Sequence, residues 1–284
     1  MQIIDGKHVA TIIKEQLKGD VKSFKERYNR EIVLAVVLVG DNVASQVYVR
    51  NKVKAAEFVG IKSLTYTLPT CSNQFDVEKL VVSLANNNLI DGILVQLPLP
   101  KGIDESYILS LIPPEKDVDG FTDINIGRLL LGKECTVSCT PKGIIRLLKY
   151  YNVELCGKNA VVVGRSNIVG KPISFLLLKE NCTVTICHSK TKNIDKICKN
   201  ADILVVAIGK PKFISTDMVK NGAVVIDVGI NRTDNGIVGD VDFDNVKGIV
   251  SMITPVPGGV GPMTIAMLME NTLECAKSRE KYAI

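Results

Sequence analysis

The 284-residue sequence has no tryptophan, two histidines, and no pair of cysteines spaced as C-x-x-C. This scarcity of clustered ligands argues against a zinc or other metal site. Long hydrophobic runs are also missing: the longest, residues 32–39, spans eight residues, whereas a membrane helix needs about 20. The first residues interleave Asp5, Lys7 and His8 with apolar ones, unlike the continuous hydrophobic region of a signal peptide. The sequence therefore predicts neither a metalloprotein nor a membrane-bound or secreted protein.

Charge of one sign is not concentrated anywhere in the chain. Lys and Arg total 35 against 30 Asp and Glu, a formal net charge of +5, and without a basic block we expect no nucleic-acid partner. Hydrophobic residues make up 46% of the chain, which is enough for a buried core. Without a secretion signal, the eight cysteines are expected to be reduced thiols of a cytoplasmic protein, each packed as a small hydrophobic side chain.

Short apolar segments alternate with segments of helical periodicity along most of the chain. Strands are predicted at residues 32–39, 63–68, 92–97, 159–163, 183–187, 203–207 and 224–228, and helices at residues 45–59, 75–86, 141–151, 171–180 and 193–199. Such alternation, with Val- and Ile-rich strands, is typical of parallel sheets covered on both faces. The predicted fold class is α/β, and the length favours two domains at roughly 150 residues each.

The segment 113–137 interrupts this alternation, because it begins with turn residues and contains no clear strand. We therefore predict one domain at residues 1–120 and a second at residues 140–250. A last apolar helix is predicted from residue 262, and we expect residues 262–284 to return to the first domain and complete it.

Residues 161–172, VVVGRSNIVGKP, combine an apolar strand, a glycine turn and the start of a helix. Free N–H groups and the positive end of the helix meet there, which suits the pyrophosphate of a dinucleotide. The motif departs from G-x-G-x-x-G, since Gly164 is followed by Ser166 and the last glycine is Gly170. It indicates a Rossmann-type domain, although a tight turn in any parallel sheet has the same pattern.

The next strand ends in the sequence HSKTK, residues 188–192. NAD-binding domains usually carry an acidic residue at this strand end, about 20 residues after the turn, to bind the ribose 2′-hydroxyl. Here the side chains are hydroxyl-bearing or basic, and Arg165 lies on the turn itself, so they suit a 2′-phosphate. The sequence thus favours NADP over NAD, with a solvated basic loop as the alternative.

Two later strands also end at glycine, Gly209 and Gly229. In open α/β sheets the ligand lies at the carboxyl ends of the strands, where glycine lets the backbone approach it closely; either glycine also fits a simple turn. His188 either touches the cofactor or caps its loop. The residues predicted to bind the cofactor are Gly164, Arg165, Ser166, Ile168, His188, Ser189, Gly209, Gly229 and Ile230.

In the first domain, the predicted helix 45–59 carries Ser45, Tyr48 and Lys52 on one face, because they are three and four residues apart. The helix starts at the carboxyl edge of the predicted sheet, although a Tyr–Lys pair is also common on solvated helices. Gln96 interrupts the apolar run GILVQLPLP, where an unpaired buried amide costs about 1–3 kcal/mol. Its expected partner is either local backbone or the amine of Lys52.

The turn KDVDG, residues 116–120, places two carboxylates two residues apart. Two acids in a turn suit a metal ion, but no further acid or histidine completes such a site in the sequence. A single carboxylate that accepts paired N–H groups of a ligand is the simpler interpretation.

Together these motifs resemble the bifunctional methylenetetrahydrofolate dehydrogenase/cyclohydrolase family over nearly the whole chain. Eight segments in the same order are far more specific than any one of them. They are VGDNVASQVYVRNKVKAAEFVGI (39–61), ILVQLPLP (93–100), PPEKDVDGF (113–121), CTPKGII (139–145), VVVGRSNIVGKP (161–172), TVTICHSKT (183–191), DILVVAIGKP (202–211) and TPVPGGVGPMTIAML (254–268).

The resemblance implies two reactions on tetrahydrofolate in cytoplasmic one-carbon metabolism, which serves purine biosynthesis. In the first, NADP⁺ takes a hydride from 5,10-methylenetetrahydrofolate and leaves the 5,10-methenyl cation. In the second, water adds to that cation and the ring opens to 10-formyltetrahydrofolate. The resemblance also implies a homodimer.

The resemblance further implies roles for individual residues. Lys52 would be the catalytic residue of the hydrolytic step, tuned by Gln96, with Tyr48 bordering the folate and Asp119 anchoring the pterin ring. The catalytic set is therefore Tyr48, Lys52, Gln96 and Asp119, and the substrate-binding set adds Pro257, Gly258 and Gly259.

For the cofactor, the resemblance implies Arg165 and Ser189 at the 2′-phosphate, and Gly164 and Ser166 at the pyrophosphate. Two narrower alternatives are a dehydrogenase without hydrolytic activity and an NAD-dependent relative. A non-catalytic NADP-binding protein is another, as is an unrelated Rossmann oxidoreductase that uses Lys52 as a base. The last of these leaves the KDVDG and PVPGGVGP segments unexplained.

Overall fold

The computed structural model describes residues 1–234 and 236–282. The chain forms two compact units. The three-stranded unit comprises Thr11–Cys139 and the chain from Ile265 onward, and the six-stranded unit comprises Met1–Ala10 and Thr140–Thr264. Within the described residues, no helix has both the length and the apolar character that crossing a membrane requires.

The predicted α/β class is confirmed by the succession of elements. The strands are β1 (Gln2–Ile3), β2 (Val33–Val39), β3 (Lys62–Leu68), β4 (Gly92–Val95), β5 (Asn159–Val163), β6 (Thr183–Cys187), β7 (Ile203–Val206), β8 (Val224–Asp227), β9 (Asn231–Thr233), β10 (Gly236–Val238) and β11 (Met252–Ile253). The α-helices are α1 (Gly6–Tyr28), α2 (Val43–Val59), α3 (Gln74–Ala85), α4 (Glu105–Ser110), α5 (Asp123–Leu130), α6 (Cys139–Tyr150), α7 (Gly170–Lys179), α8 (Ile194–Cys198), α9 (Phe243–Val246) and α10 (Val260–Tyr282).

The sheet of the three-stranded unit is parallel, in the order β3-β2-β4. β2 reads VLAVVLV and is almost wholly buried, as expected for a central strand covered on both faces. Val39 pairs with Leu68, and Val37 pairs with Val95. The carboxyl ends of the three strands therefore share one edge of the sheet.

Local sequence signals fix α2 at this edge. The side chain of Asn42 accepts a hydrogen bond from the backbone N–H of Ser45 at the start of the helix, as N-cap residues do. The helix ends at Gly60 with φ of +87°, the left-handed conformation that favours glycine. Between these two signals the helix runs without interruption, so Tyr48 and Lys52 lie one turn apart on it.

The last helix returns to the three-stranded unit, as predicted. Asp91, fully buried just before β4, accepts hydrogen bonds of 2.9 Å from both terminal nitrogens of Arg30 and from Arg279 of α10. Arg30 also donates to Glu280. These ion pairs join the end of the chain to the sheet.

The six-stranded unit has a parallel sheet in the order β1-β11-β8-β7-β5-β6. The chain runs from β5 to β6 on one side, then crosses back so that β7 and β8 lie on the other side of β5. This reversal of strand order is the switch point at which open α/β sheets bind ligands. The predicted strands 159–163 and 183–187 coincide with β5 and β6.

The cysteines meet the expectation only in part. The structure contains all eight as thiols, and Cys139, Cys182, Cys187, Cys198 and Cys275 are buried. The prediction of burial is wrong for Cys71 and Cys156, which are exposed. Both lie in turns, where the backbone runs over the surface and a small side chain has no core to enter.

Candidate active site

An amine and an amide meet at the carboxyl edge of the three-stranded sheet. Lys52 Nζ donates a 3.0 Å hydrogen bond to Gln96 Oε1, and Gln96 Nε2 donates to the carbonyl oxygen of Leu97 at 2.7 Å. The predicted contact between Gln96 and Lys52 is confirmed. Gln96 is half-buried and lies just beyond β4, which ends at Val95, two residues before the predicted end of this strand.

Asp119 is brought to the same edge by a short parallel bridge between Ile93 and Asp117. Because the two segments run in parallel, the residue two positions after Asp117 is level with the end of β4. Burial raises the pKa of Asp119 to about 6, the ammonium of Lys52 opposes this rise, and the carboxylate of Asp117 adds to it. Lys52 and Asp119 are therefore electrostatic neighbours.

The rest of the KDVDG turn supports Asp119 structurally. The buried carboxylate of Asp117 accepts hydrogen bonds of 2.9–3.2 Å from the backbone N–H groups of Gly120, Phe121 and Thr122, and from the Asn125 amide. Lys116 Nζ donates to the carbonyl oxygens of Ala85 and Asn87, 2.7 and 2.8 Å away. Asp117 thus holds the turn closed, and of the two acids only Asp119 is not engaged by the N–H groups of the turn in this way. No group of three or more His, Cys, Asp or Glu in the described residues is arranged to hold a metal ion.

Sequence reasoning missed one neighbour of Asp119. The thiol of Cys139 lies 3.9 Å from Asp119 Oδ1 and 3.4 Å from the carbonyl oxygen of Val118. Asn271 of α10 donates to the same carbonyl oxygen at 2.8 Å. No spacing signal links these residues, because 132 positions separate Cys139 from Asn271.

The glycine turn of the six-stranded unit is as tight as a dinucleotide site requires. Gly164 has φ of +129°, and a Cβ there would lie 2.3 Å from the carbonyl oxygen of Ala207. A Cβ at Gly170 would lie 2.4 Å from the carbonyl oxygen of Gly164. Ser166, which replaces the second glycine of the usual motif, accepts hydrogen bonds from the N–H groups of Val169 and Gly170 through its Oγ. Gly164 and Gly170 therefore let the end of β5 and the start of α7 approach closely, as in a dinucleotide-binding turn, and the Ser166 side chain lies at the start of that helix.

The loop after β6 is organised by its own side chains. The N–H of His188 donates to Thr191 Oγ1 at 2.8 Å, and His188 Nδ1 accepts from the N–H of Lys190 at 3.2 Å. His188 therefore shapes the loop, one of the two roles considered for it. Ser189 and Arg165 are exposed.

The other predicted cofactor residues lie at or near the same edge of the six-stranded sheet. Gly209 is exposed and has φ of +63°, Gly229 is buried, and Ile168 and Ile230 are exposed.

The predicted folate turn also lies in the six-stranded unit. The carbonyl oxygen of Gly258 accepts from the N–H of Lys7 at 2.9 Å, and Gly259 donates to the carbonyl oxygen of Pro255. A Cβ at Gly6 would overlap the carbonyl oxygen of Gly259, so this close approach requires glycine. Pro257, Gly258 and Gly259 thus share a unit with the dinucleotide turn, whereas Tyr48, Lys52, Gln96 and Asp119 share the other.

A parallel sheet that reverses its strand order beside a glycine turn defines a dinucleotide-binding α/β protein. The chain belongs to the tetrahydrofolate dehydrogenase/cyclohydrolase family. The family model of its catalytic domain matches residues 4–119, and the model of its NAD(P)-binding domain matches residues 138–280.

Known relatives are similar over almost their full length. The bifunctional protein FolD of Campylobacter hominis is 58% identical over 99% of both chains. The crystal structure of the bifunctional enzyme FolD, methylenetetrahydrofolate dehydrogenase/cyclohydrolase, from Campylobacter jejuni has a TM-score of 0.96 at 50% identity, covering 98% of this chain and 99% of that one. A Trypanosoma brucei methylenetetrahydrofolate dehydrogenase-cyclohydrolase, complexed with NADP cofactor and inhibitor, has a TM-score of 0.94 at 40% identity and 98% coverage of both chains.

Proposed function

We propose that this chain is a bifunctional enzyme of one-carbon metabolism. It oxidises 5,10-methylenetetrahydrofolate to 5,10-methenyltetrahydrofolate with NADP⁺, and then hydrolyses the product to 10-formyltetrahydrofolate. The observation that carries this proposal is the hydrogen bond between Lys52 and Gln96 beside a carboxylate whose pKa is raised. Membership of the family and the near-complete match to bifunctional relatives support it.

In the oxidation, NADP⁺ supplies the hydride acceptor, and the protein contributes binding and orientation. Gly164 and Ser166 would hold the pyrophosphate at the start of α7. Arg165 and Ser189 would bind the 2′-phosphate, since the HSKTK segment directly after β6 contains no acidic residue to select a ribose hydroxyl. Gly209, Gly229 and Ile230 are proposed to contact the cofactor beyond the switch point.

Hydrolysis needs proton transfer, because the attacking water must lose a proton and a ring nitrogen must gain one. Lys52 is the proposed group for this transfer. Gln96 Oε1 accepts from the Lys52 ammonium and can also accept from an N–H of the free amine. Its hydrogen bond to the carbonyl oxygen of Leu97 fixes the orientation of the amide. Gln96 therefore orients Lys52 while that side chain exchanges its proton.

Substrate binding is proposed to depend on Asp119. Two carboxylate oxygens match the paired N–H donors of the pterin amine and ring, a bidentate geometry. Tyr48 would border the folate from α2, and Pro257, Gly258 and Gly259 of the six-stranded unit are proposed as further substrate-binding residues. The three-stranded unit, residues 11–139 and the chain from Ile265 onward, would then bind folate, and the six-stranded unit would bind NADP.

Three further properties belong to the same proposal. The enzyme is a cytoplasmic homodimer, and its product serves purine biosynthesis. The lack of a membrane-crossing helix in the described residues is compatible with this location. Sedimentation of the purified chain at micromolar concentration checks the dimer.

A coupled assay tests the proposed function. Wild-type protein should reduce NADP⁺ in preference to NAD⁺ when given 5,10-methylenetetrahydrofolate, and should hydrolyse 5,10-methenyltetrahydrofolate without nucleotide. We expect Lys52→Met to lower the hydrolytic rate by at least about 100-fold, the scale of general acid–base catalysis, while part of the hydride transfer remains. Lys54→Met, which changes an exposed lysine of the same helix, is the control. Near wild-type hydrolysis by Lys52→Met would exclude Lys52 as the proton-transfer group.

A further inference from the structure

Two buried carboxylates at the carboxyl edge of the six-stranded sheet are not explained by the proposed chemistry. Asp227 ends β8, Asp240 lies just after β10, and they are 3% and 0% exposed. Asp240 accepts hydrogen bonds from three consecutive backbone N–H groups, those of Ile208, Gly209 and Lys210, at 2.7, 3.0 and 2.8 Å. Its carboxylate therefore fixes the loop that follows β7.

Asp240 is in turn held in place by Asp227. The carboxylate of Asp227 accepts from the backbone N–H groups of Gly229, Asp240 and Val241, each at 2.9 Å. Burial raises the pKa of Asp227 to about 6, the three N–H donors oppose the rise, and the neighbouring Asp240 carboxylate adds to it. The two acids act in series, since Asp227 positions the backbone that carries Asp240.

The packing around Asp227 and Asp240 leaves no space for a side chain at Gly229 or Gly239. A Cβ at Gly229 would lie 2.3 Å from Asp240 Oδ1, and a Cβ at Gly239 would overlap Asp227 Oδ2. The buried amide of Asn231 also donates to Asp240 Oδ1 at 2.9 Å. The loops after β7 and β8 are thus tied to one buried cluster.

The strand order indicates which half of the cofactor these loops face. In a dinucleotide-binding sheet, the pyrophosphate lies at the first turn and the adenosine ribose at the end of the second strand. Those positions correspond here to the turn after β5 and the loop after β6. The nicotinamide half would therefore extend to the opposite side of β5, where β7 and β8 end.

We propose that Asp240, held by Asp227, is a positioning residue for the nicotinamide half of the cofactor. This inference rests on the proposed NADP-dependent reaction. Charge-assisted hydrogen bonds to three successive N–H groups give the loop at residues 208–210 one fixed backbone conformation. Without the Asp240 carboxylate, the three N–H groups lose their acceptor and the loop at residues 208–210 is no longer held in one conformation. The turn that would hold the pyrophosphate is not altered.

The test compares the whole cofactor with its adenosine half. Asp240→Asn keeps the shape of the side chain but replaces one acceptor oxygen by a donor that opposes the loop N–H groups. We expect the KM for NADP⁺ to rise by about tenfold or more, as for a lost charged hydrogen bond, with a fall in the kcat of oxidation. Binding of adenosine 2′,5′-bisphosphate, measured by calorimetry, should change less than about twofold. Hydrolysis of 5,10-methenyltetrahydrofolate without nucleotide should keep its wild-type rate.

Asp202→Asn is the matched control. Asp202 also accepts from a backbone N–H of the same sheet, that of Asn159 at 2.9 Å, and pairs with Lys220. It precedes β7 and therefore lies at the amino edge, away from the cofactor end. We expect this variant to retain the wild-type KM for NADP⁺ and the wild-type kcat of oxidation.

A second variant keeps the inference testable if Asp240→Asn does not fold. Asn231→Ala removes one donor to Asp240, and we expect a smaller rise in the KM for NADP⁺ with unchanged binding of the bisphosphate. The inference is overturned if the folded variants keep the wild-type KM for NADP⁺, or if NADP⁺ and the bisphosphate weaken equally together with hydrolysis. A wild-type chain that does not reduce NADP⁺ contradicts the proposed function itself, an outcome distinct from both.

Discussion

The buried carboxylate of Asp119 lowers the stability of the folded protein, although the same carboxylate is the proposed anchor for folate. Burial raises its pKa to about 6, from 3.8 for the ordinary group. The folded protein therefore binds the proton more tightly than the unfolded chain, and stability falls as the pH rises from about 4 to about 6. Above that range the ionised carboxylate costs on the order of 1–3 kcal/mol.

We expect Asp119→Asn to remove this cost together with the proposed folate anchor. Above pH 6 the variant should melt at a higher temperature than the wild type, and the difference should vanish near pH 4. Its KM for folate substrates should rise in both reactions. Calorimetry across this pH range and the two activity assays check these outcomes. A variant with normal folate binding and no gain in Tm contradicts the account of Asp119.

Arg165 is the residue proposed to distinguish the two nucleotides. It is exposed on the dinucleotide turn, where its guanidinium can bind a 2′-phosphate. We expect Arg165→Ala to narrow the NADP⁺-over-NAD⁺ ratio of kcat/KM by roughly tenfold to 100-fold, the scale of a hydrogen bond between charged groups. Lys179→Ala removes an exposed cation at the other end of α7 and serves as the control. An unchanged ratio in Arg165→Ala would assign the phosphate to other groups.

At the scale of elements, the contact between α7 and the turn before it has a consequence for stability. Alanine inside a helix is normally more stable than glycine by up to about 1 kcal/mol. At Gly170 a Cβ would collide with the backbone of Gly164 and Arg165, 2.4 and 2.7 Å away. We expect Gly170→Ala to lower the Tm and weaken NADP⁺ binding, while Gly19→Ala in α1, where the Cβ meets nothing within 4 Å, should raise the Tm. An equal rise in the Tm of both variants would show that the turn accommodates a Cβ at Gly170 without loss of stability.

Elements with a strong local pattern were predictable from the sequence, and elements made by pairing were not. β5 and β6 are Val-, Ile- and Thr-rich runs bounded by turns, and both begin and end where predicted. β1 and β11 have two residues each and exist through their pairing with each other and with β8.

No helix is predicted before residue 32, yet α1 spans Gly6–Tyr28. Its buried Val9, Ile13, Leu17 and Val21 recur every four residues, a signal that the sequence does contain.

The candidate site also has features that were predictable from the sequence and features that were not. The contact of Lys52 with Gln96 follows from two elements that meet at the carboxyl edge of one sheet. The sequence KDVDG does not reveal which acid binds its own turn, because that choice depends on the bridge between Ile93 and Asp117. Asp240 carries no local signal either, since its partners are N–H groups about 30 residues away.

At the scale of the whole molecule, the three-stranded unit is discontinuous in the chain. Residues 11–139 supply its sheet, and α10 supplies its last helix more than 120 residues later. Arg30 and Glu280, 250 positions apart, are paired at 2.6 Å. Folding of this unit therefore requires contacts that span nearly the entire chain, which slow folding.

We expect the attachment of α10 to the rest of the three-stranded unit to depend most on Asp91. It has no solvent exposure and accepts from Arg30, Arg279 and the backbone N–H of Val33. Asp91→Asn removes the buried counter-charge of Arg279 and leaves Arg30 with Glu280 alone, and we expect it to cost about 3 kcal/mol. Glu26→Gln, which breaks an exposed pair with Lys22, should cost less than about 1 kcal/mol. Urea unfolding followed by circular dichroism compares the two variants, and similar midpoints would mean that hydrophobic packing alone retains α10. A larger loss in Asp91→Asn, with α10 detached as judged by protease cleavage near the carboxyl end, would identify the buried ion pairs as the contact that closes the unit.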